Sequence, residues 1–463
     1  MPVHYDVLII GAGMSGLGAG IRLAHYGRKV CILDRHYLWG GLNSFYRLKG
    51  YRFDVGLHAM TNFVPRGTRN APLTKLLRQL RIDYDELDLR PQQMSATWFP
   101  GKRLRFTNDF AFFESEVAEQ FPAQADAFRR LVKHVMEYDA LNLATPEFSA
   151  REVVSGFLSD PLLIEMLFCP LFFYGSAVEN DMDFGQFVIM FKSIYCEGLA
   201  RPTEGVRRVL RVLMEKYKGL GGELRMKSGV RRLEVAGSKV TEVVLDSGER
   251  LTADTVFSSA GYPETLGLLS DYVPGSEGPT QGQLSFMESI DVLTKEPREL
   301  GYEFTIQFFS TTEKFHYQKP EELVDVRSGV ICCPNNFCYD RPLDDNLMRV
   351  TSLANHGRWA ALPPEEYHES KVRWHGLVLD EVVKIVPDFR PFVKFTDIFT
   401  PKTVRKFTGH VNGAVYGSPV KFKTGRTRLD NLFLCGTDQG MLGIVGALLS
   451  GISMANMHVL QQA

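Results

Sequence analysis

Three glycines and one acidic residue near the amino terminus have the types and spacing of a dinucleotide-binding turn. They are Gly11, Gly13, Gly16 and Asp34. In such a turn the glycines allow a tight bend, bring the backbone close to a pyrophosphate, and let the following helix pack on the strand. The carboxylate of Asp34 can accept hydrogen bonds from ribose hydroxyls and would repel a 2′-phosphate, which disfavours NADP. The predicted chemistry is dinucleotide binding, with NAD and FAD both open.

A strand, a helix and a second strand must position these residues. Apolar runs over residues 5–10 and 30–33 predict two strands, and residues 17–26 between them predict a helix. The amino terminus of this helix, near Met14 and Ser15, would present free N–H groups and a partial positive charge to the phosphates. A strand before the glycines and a helix after them complete a dinucleotide-binding fingerprint. The glycine pattern alone would not be sufficient evidence for one.

The composition bounds the fold and excludes several classes of function. A chain of 463 residues with 44% hydrophobic residues can bury a large core and is long enough for two intertwined domains. The net charge of -1 and the absence of a basic run interleaved with aromatics give no support to nucleic-acid binding. Seven scattered cysteines without a C-x-x-C pair predict reduced thiols and a cytoplasmic protein.

A membrane-spanning segment is not expected. The nearest candidate, residues 161–178, carries Glu165 and two prolines, so we interpret it as a buried or substrate-lining pair of helices. A strand that begins at Tyr5 argues against an amino-terminal signal sequence. An apolar entrance to the substrate site could still dock on a bilayer, so peripheral membrane contact is a further hypothesis.

A second glycine pair and a hairpin follow the acidic residue. Gly40 and Gly41 form another close-approach loop, and the Lys49-Gly50 turn between two strand-like pieces predicts a hairpin. The string GAGMSGLGAG…LDR…GGLNSFYRLKGYRFDVGLH resembles the opening of the flavin-dependent amine oxidases and phytoene desaturases. Its GG-x-x-x-F…G-x-x-F-D-x-G-x-H part is most similar to the branch of retinol saturases and carotenoid isomerases. The resemblance favours FAD over NAD.

One position departs from the pattern of this superfamily. Many members have an arginine after the second glycine, where it helps to hold the flavin diphosphate, but this chain has Leu42. The resemblance therefore implies that the helix amino terminus and backbone N–H groups carry more of the interaction with the diphosphate.

Two later strings resemble the same superfamily. Residues 202–261 are similar to its middle segment, in which the residue matching Val230 offers backbone groups to adenine. The strand that ends at Gly436 and the helix from Gly443 are similar to its closing flavin motif, in which the helix amino terminus faces the flavin pyrimidine. The resemblance also implies that Asp438 contacts the ribityl or diphosphate region.

The fingerprint and the resemblance together predict a set of residues that bind FAD. They are Gly11, Gly13, Met14, Ser15, Gly16, Asp34, Arg35, Gly40, Gly41, Leu42, Asn43, Gly56, His58, Val230, Gly436, Asp438, Gly443, Ile444 and Val445. No cluster of side chains has metal-ligand spacing, so no metal site is expected.

The predicted fold class is α/β. A Rossmann-like FAD-binding domain, with a parallel sheet and a β-meander, is interleaved with an α+β substrate-binding cap built on an antiparallel sheet. The FAD-binding domain is assigned to residues 1–60, 201–262 and 408–463, and the cap to residues 61–200 and 263–407. Helical periodicity dominates residues 61–200, and their aromatic side chains could wall an apolar tunnel or form an ordinary core.

His58 and Tyr416 are the candidate catalytic residues. His58 follows the F-D-x-G-x pattern and is expected beside the flavin, where it could donate a proton or only hydrogen-bond the cofactor. Tyr416 lies in a G-A-x-Y-G string that resembles one near the ring in the saturase branch, and it could orient the ring or the substrate. Asp54 is expected to fix its own hairpin. No Ser-His-Asp set supports a hydrolase.

Three functions remain open. The first is an FAD-dependent oxidoreductase that transfers a hydride between flavin N5 and a carbon of an apolar isoprenoid or carotenoid-like lipid, in desaturation, saturation or isomerisation. The second is an amine oxidase-type enzyme that acts on an amine or other polar substrate with oxygen as acceptor. The third is a flavin-fold binding protein without turnover, to which only Leu42 points. Because no second fingerprint occurs, electrons would pass to or from oxygen, a quinone, a redox partner or a transiently docked nicotinamide.

Overall fold

The computed structural model describes residues 2–142, 145–273 and 280–461. The strands are β1 Val3–Ile10, β2 Val30–Leu33, β3 Phe45–Leu48, β4 Tyr51–Asp54, β5 Leu89–Pro91, β6 Ser95–Phe99, β7 Lys102–Phe106, β8 Ala200–Pro202, β9 Glu223–Arg225, β10 Val230–Ala236, β11 Lys239–Leu245, β12 Arg250–Ser258, β13 Ser285–Leu293, β14 Ile306–Ser310, β15 Ser328–Cys332, β16 Asn346–Ala354, β17 Val393–Phe399 and β18 Leu432–Leu434. The helices are α1 Met14–Ala24, α2 Pro72–Leu80, α3 Phe110–Gln120, α4 Ala125–Glu137, α5 Ala150–Ser155, α6 Pro161–Gly175, α7 Phe184–Phe191, α8 Val206–Gly219, α9 Tyr262–Leu268, α10 His356–Ala361, α11 Pro364–Val382, α12 Pro401–Thr408 and α13 Gly443–Ala455.

A sheet of mostly parallel strands carries the glycine turn. Its order is β10-β11-β12-β1-β2-β9, with β18 beside β12. β1 runs parallel to both β2 and β12, so it lies inside the sheet. Residues 7–10 of β1 and all of β2 are buried apolar side chains, as expected for parallel strands covered on both faces. With the antiparallel meander β10-β11-β12, this sheet confirms the predicted Rossmann-like α/β class.

A second, mostly antiparallel sheet packs against the hairpin β3-β4. Its order is β17-β13-β16-β15-β14-β6-β7. The register pairs Glu288 with Thr351 and Ile290 with Arg349, so these side chains share one face, which we call the inner face. Phe53 of the hairpin packs against the inner face beside Ile290. The opposite face is covered by α11.

One hairpin of this sheet comes from the region that the sequence predicts to be mainly helical. β6 and β7 form a hairpin that turns at Pro100-Gly101. β6 then pairs in parallel with β14, although the two strands are far apart in sequence. Residues 61–200 therefore supply an edge of the cap sheet as well as helices.

The apolar stretch over residues 161–178 contains one helix, α6, which ends at Gly175, so the predicted pair of helices is wrong. α6 runs through Pro170 without a break. A proline inside a helix removes a backbone donor and displaces the preceding turn. The hydroxyl of Tyr195, which lies outside α6, donates to the carbonyl oxygen of Leu167 at 3.3 Å. The backbone of α6 near the proline therefore has a hydrogen bond from another element.

The aromatic side chains of α6 and α7 pack mainly against one another. Five of them are at most 1% exposed and lie in a single apolar cluster: Phe168, Phe172, Phe184, Phe187 and Phe191. These five residues therefore form an ordinary hydrophobic core and do not line a tunnel.

One helical segment within the described residues, Gly443–Leu460, is long and apolar enough to cross a membrane. By length and composition the expectation that no stretch meets this criterion is wrong. Half of the segment is buried, and its first part, α13, packs against α1 in the core beside the parallel sheet. The core packing accounts for its apolar composition.

We keep the predicted domain limits as a proposal. The strands of the parallel sheet fall within residues 1–60, 201–262 and 408–463. The strands of the cap sheet fall within residues 61–200 and 263–407. Each sheet therefore draws on one of the two predicted sets of segments.

Candidate functional site

The glycine turn lies between the end of β1 and the start of α1. Gly11 donates its N–H to the carbonyl oxygen of Leu33 at 2.7 Å and has a φ of 99°, which residues with side chains rarely adopt. A Cβ on Gly16 would overlap the carbonyl oxygen of Gly11, so this glycine lets α1 pack closely. A Cβ on Gly13, in contrast, would meet no atom within 4 Å. Gly13 therefore borders open space, as a residue approached by a ligand should.

The carboxylate of Asp34 accepts hydrogen bonds from the loops around it. Its Oδ2 accepts a hydrogen bond from the N–H of Ala12 at 2.7 Å, and its Oδ1 accepts one from the N–H of His36 at 2.8 Å. Each carboxylate oxygen has a further lone pair, so Asp34 can still accept a hydrogen bond from a ribose hydroxyl.

The side chain of Arg35 is directed at α12. Its guanidinium is exposed and donates to the carbonyl oxygen of Lys406 at 3.0 Å, near the carboxyl end of that helix. A cation there is favourable because the helix dipole is negative at this end. A contact between Arg35 and a cofactor stays a prediction.

The Gly40-Gly41 loop joins the first glycine turn. The N–H of Gly40 donates to the carbonyl oxygen of Ala12 at 2.8 Å. A Cβ on Gly41 would lie 3.4 Å from the Cα of Gly13, so the two turns approach each other with no side chain between them. The cleft beside Gly13 is therefore bordered by backbone on two sides.

Leu42 and Asn43 lead from this loop into the hairpin. Leu42 is partly exposed and brings no charge to the cleft. Gly56, at the other end of the hairpin, has a φ of 66°, and a Cβ there would overlap the carbonyl oxygen of Leu42. The hairpin thus closes tightly on the loop that precedes it.

The carboxyl-terminal segment packs beside the glycine turn. Gly436 donates its N–H to Oγ of Ser450 at 2.8 Å, and a Cβ on Gly436 would lie 2.8 Å from Oγ of Ser15. α13 begins at Gly443 without a side-chain cap, and α1 likewise begins at Met14 without one. Uncapped amino termini have N–H groups that can bind an anion.

Asp438 ties two loops together. It is 1% exposed, its Oδ1 accepts a hydrogen bond from the N–H of Ser418 at 2.8 Å, and its Oδ2 accepts one from the N–H of Tyr262 at 2.6 Å. The hydrogen bonds by which Asp438 joins these two loops were not expected from the sequence. Its contact with the ribityl or diphosphate region of a cofactor stays a prediction.

Three of the predicted cofactor residues offer backbone groups. Ile444 and Val445 are buried in the first turn of α13, so a ligand would meet their N–H groups. Val230 begins β10, and the N–H of nearby Ser228 donates to the carbonyl oxygen of Asp34 at 2.8 Å. The start of β10 is thereby held close to the predicted ribose-binding residue.

A flavin-type dinucleotide fits this arrangement. The open space at Gly13 admits a pyrophosphate, the uncapped start of α1 can bind its charge, and Asp34 has lone pairs for a ribose. The residues that would hold it are the two glycine turns, Asp34, Val230 and the first turn of α13. The coarse prediction of a flavin-type cofactor is supported by these residues.

His58 follows the hairpin and contacts the inner face of the cap sheet. Its Nε2 lies 3.1 Å from Oγ1 of Thr351 and 3.5 Å from Oε2 of Glu288. Its Nδ1 has no hydrogen-bond partner within the described ranges, and its side chain is 13% exposed. Burial lowers the pKa of His58, which outweighs the opposite effect of Glu288. His58 is therefore a neutral imidazole with one nitrogen tied to the protein and one available.

Glu288 is a buried carboxylate held by Arg349. The Nε of Arg349 donates to Oε1 of Glu288 at 2.5 Å, and its Nη1 donates to the carbonyl oxygen of Leu57 at 2.6 Å. Burial alone would raise the pKa of Glu288, but Arg349 and the contact with His58 lower it to about 2. Glu288 thus stays ionised beside a neutral His58.

Arg201 and Asp54 extend this charged cluster to α8. Arg201 pairs with Asp54 at 2.5 Å and donates to the carbonyl oxygen of Leu57 at 2.7 Å. Oδ2 of Asp54 also accepts a hydrogen bond at 3.2 Å from the N–H of Val206, the first residue of α8. The expectation that Asp54 fixes its own hairpin stays a prediction, and the structure adds that Asp54 anchors this hairpin to Arg201 and α8.

Tyr416 packs among aromatic side chains. Its hydroxyl donates to the carbonyl oxygen of Phe173, and its ring meets that of Phe286 edge-on at 6.0 Å. Burial raises the pKa of Tyr416. An engaged hydroxyl with a raised pKa favours an orienting role over proton transfer, and a catalytic role stays a prediction.

Sequence reasoning missed Arg201, Glu288 and Arg349. For Glu288 and Arg349 the available signal was a charge within a strand sequence, SFMESIDVL and NLMRVTSLA, although the first of these also contains Asp291. A charge at such a position is costly unless it is paired, so two of them in facing strands indicate an ion pair. Within the described part of the chain, no group of three or more His, Cys, Asp or Glu residues could hold a metal ion.

Comparisons with known proteins agree with this architecture. Residues 9–80 match the family described as NAD(P)-binding Rossmann-like domain. Prolycopene isomerase 2 of an Oncidium hybrid cultivar is 23% identical over 98% of this chain and 83% of its own length. All-trans-retinol 13,14-reductase of Danio rerio is 22% identical over 99% of this chain and 86% of its own length. A solved structure of a putrescine oxidase triple mutant covers 100% of both chains with a TM-score of 0.65 and 16% identity.

These similarities extend over nearly the whole chain, so they include the cap as well as the dinucleotide fold. The predicted class, an oxidoreductase, is confirmed. The resemblance drawn from the sequence motifs is confirmed as well: this chain is similar to prolycopene isomerase and retinol 13,14-reductase over nearly its whole length, and its fold is similar to that of putrescine oxidase.

Proposed function

We propose that this protein is an FAD-dependent oxidoreductase that transfers a hydride between flavin N5 and a carbon of an apolar unsaturated lipid of the isoprenoid or carotenoid class. The position of His58 carries the proposal. It lies where the hairpin that follows the glycine turns meets the inner face of the cap sheet. A substrate held between the cofactor and this sheet would therefore meet His58.

The choice of an apolar substrate rests on the side chains around Thr351, the partner of His58. The register places Val330 beside Thr351, and it places Phe286 and Leu353 as a facing pair on the same inner face. All three are buried. Three apolar side chains beside one hydroxyl suit a polyene, whose carbons offer little to hydrogen-bond. The charges of Glu288 and Arg349 on the same face are paired with each other. The similarity to proteins named prolycopene isomerase and retinol 13,14-reductase supports the same class.

The choice of FAD rests on the glycine turns together with the start of α13. The amino terminus of α13, at Gly443, can stabilise the negative charge that develops on a flavin ring when the ring is reduced. FAD, when bound, supplies hydride transfer at N5. The acceptor or donor of its electrons is proposed to be oxygen, a quinone or another redox partner.

In the proposed reaction His58 handles the proton that must accompany a hydride. Its Nε2 is held by Thr351 and Glu288, which leaves Nδ1 to accept or donate a proton at the substrate. Glu288 fixes the ring of His58 through this contact and stays ionised because Arg349 compensates its charge. The apolar inner face excludes water, which strengthens these interactions.

An amine oxidase-type activity is the second candidate. The fold similarity to putrescine oxidase favours it, although at 16% identity this similarity concerns the fold. A polar amine would need acidic or carbonyl acceptors, and Glu288 is already paired with Arg349. This pairing leaves the lipid substrate as the better supported choice.

The protein is proposed to be cytoplasmic and to meet its lipid substrate by peripheral contact with a membrane. An apolar substrate partitions into the bilayer, so a cap that opens near the surface would shorten its transfer. Binding to liposomes, measured by flotation, checks this point.

Visible spectroscopy and substrate turnover test the proposed function. We expect a yellow protein that releases FAD on denaturation, and oxidation, reduction or isomerisation of lycopene, phytoene or all-trans-retinol. His58→Ala should keep the flavin spectrum and lose most of the turnover. Absence of a flavin would refute the cofactor assignment. Peroxide formation with putrescine or benzylamine, without conversion of any polyene, would refute the lipid assignment.

A further inference from the structure

Asp54 and Arg201, which form an ion pair, both line a cavity. It has a volume of about 140 Å³. Its walls are the end of β4, the start of α8 and the cap segment over residues 341–349. Five arginines line it: Arg52, Arg201, Arg207, Arg341 and Arg349.

Two of these arginines are paired with buried carboxylates inside the protein. Arg201 is paired with Asp54 and bonded to backbone oxygens. Arg349 is paired with Glu288. Their charges are therefore already compensated, and they form the floor of the cavity.

The other three arginines have little or no compensation. Arg207 approaches one acidic atom, Oδ1 of Asp54, at 3.5 Å, and its buried Nη1 has no hydrogen-bond partner within the described ranges. Burial lowers the pKa of Arg207, and the charges of Arg201 and Arg52 add to this effect against the attraction of Asp54. A buried guanidinium nitrogen without a hydrogen bond is costly, and a bound anion could supply the missing acceptor.

Arg52 and Arg341 stand at the mouth of the same cavity. Both are exposed, and neither side chain has a hydrogen bond or ion pair within the described residues. Their guanidinium groups are therefore available. A guanidinium has a planar set of donors that matches the oxygens of carboxylate and phosphate groups.

The acidic residues of the cavity do not cancel this charge or make a cation site. Glu204 is engaged by Arg211, which donates to it at 2.9 Å. Asp344 and Asp345 also line the cavity, so two carboxylates offset part, but not all, of the charge of Arg52, Arg207 and Arg341. No group of three potential metal ligands occurs among the described residues, this cavity included.

We propose that this cavity, which we call the arginine cavity, binds the phosphate or carboxylate group of an anionic ligand, with Arg207 at its centre and Arg52 and Arg341 closing over it. Its volume admits such a group but neither a dinucleotide nor a polyene, since pockets for drug-sized molecules are about 300–1,000 Å³. The anion has two possible sources, a free small anion or the acidic head group of a lipid. This site does not depend on the proposed redox function.

Isothermal titration of the holoenzyme tests the site. The probes are inorganic phosphate, geranylgeranyl monophosphate and, as the uncharged reference, geranylgeraniol, at constant ionic strength set with KCl. Arg207→Gln and Arg341→Gln remove one cavity donor each. Arg208→Gln is the matched control, because Arg208 follows Arg207 on α8 but donates to the backbone oxygen of Glu86. The flavin spectrum and Tm of each variant report its folding, and Arg341 lies on an exposed segment whose substitution leaves the core intact.

For a free-anion site we expect phosphate to bind, with affinity lowered about tenfold or more in both cavity variants, as loss of a charged hydrogen bond implies, and unchanged in Arg208→Gln. For a head-group site we expect geranylgeranyl monophosphate to bind about tenfold or more tightly than geranylgeraniol, with this difference lost in Arg207→Gln. Failure of both phosphates to bind, or an equal loss in Arg208→Gln, would overturn the proposal. Flavin content and polyene turnover are separate measurements, so this failure differs from failure of the proposed function.

Discussion

Nε2 of His58 lies 3.5 Å from the carboxylate of Glu288, and both side chains are largely removed from water. The two residues come from different parts of the molecule, since His58 follows the hairpin β3-β4 and Glu288 lies in β13 of the cap sheet. Their contact therefore depends on how the cap sits on the dinucleotide fold. It is also the contact through which pH should act on this protein.

Replacement of Glu288 by glutamine should change the pH profile of turnover more than its maximum. The amide keeps the shape of the side chain but loses the charge that opposes the lowered pKa of His58. We expect the acid limb of the kcat profile to move to lower pH in Glu288→Gln, because protonated His58 becomes less stable. Stopped-flow measurement of flavin reduction or reoxidation across pH checks this. An unshifted acid limb would show that Glu288 does not act through His58.

Acid should destabilise the folded protein in two ranges. The folded-state pKa of His58 is below its usual value, so its contribution to stability is full above about pH 6.5 and declines below it. The folded-state pKa of Glu288 is about 2, so its contribution is full above the usual value and is lost as pH falls towards 2. Thermal unfolding from pH 8 to 3 measures both. His58→Asn should remove the upper range only, and a curve identical to that of the wild type would contradict the assignment.

Gly13→Ala should weaken cofactor binding without weakening the fold. The added methyl meets no protein atom within 4 Å, and the backbone at Gly13, with a φ of -75°, is allowed for alanine. We expect an unchanged Tm for the apoprotein and FAD affinity lowered about tenfold or more, since the methyl would occupy the approach of the pyrophosphate. Gly267→Ala is the control, because its methyl also meets no protein atom within 4 Å but lies in α9. Equal FAD affinity in the two variants would argue against the predicted site.

Leu42→Arg should strengthen FAD binding. Leu42 is partly exposed next to the Gly40-Gly41 loop, so a longer side chain has room to reach a diphosphate. A new charge-assisted hydrogen bond should raise the affinity about tenfold, measured by fluorescence of released FAD. Leu141→Arg adds the same charge at a residue that is 65% exposed and lies outside the site, and should leave the affinity unchanged.

Tyr416→Phe should affect stability more than catalysis. The hydroxyl of Tyr416 is bonded to the carbonyl oxygen of Phe173, so its loss leaves a buried acceptor unsatisfied. We expect the free energy of unfolding to fall by about 1–3 kcal/mol, with turnover reduced by less than about tenfold. Urea denaturation and steady-state kinetics measure the two effects. A loss of turnover about 100-fold or larger with intact stability would instead assign Tyr416 a role in proton transfer.

Local patterns were enough to predict the cofactor half of the site. The apolar runs that flank Gly11 and Asp34 form the predicted strands, and the turn at Lys49-Gly50 forms the predicted hairpin. Each of these elements is specified by residues close together in sequence. Glycine spacing, in particular, reflects steric limits that hold wherever such a turn occurs.

The charged cluster could not be predicted in the same way. Glu288 and Arg349 are far apart in sequence and meet because of the register between β13 and β16. Registers between distant strands depend on packing of the whole sheet. The break predicted at Pro170 was wrong because local propensity would end a helix at a proline, whereas burial of α6 maintains the helix.

The pairing of β18 with β12 and the packing of α13 on α1 have a consequence for biosynthesis. The glycine turn leaves the ribosome before the segment that closes against it. A nascent chain can therefore form β1 and α1 early but lacks Gly436 and Ser450 until β18 and α13 have been made. The cleft beside Gly13 is then completed only after synthesis of α13, and termination anywhere before β18 would release a chain in which this cleft is unfinished.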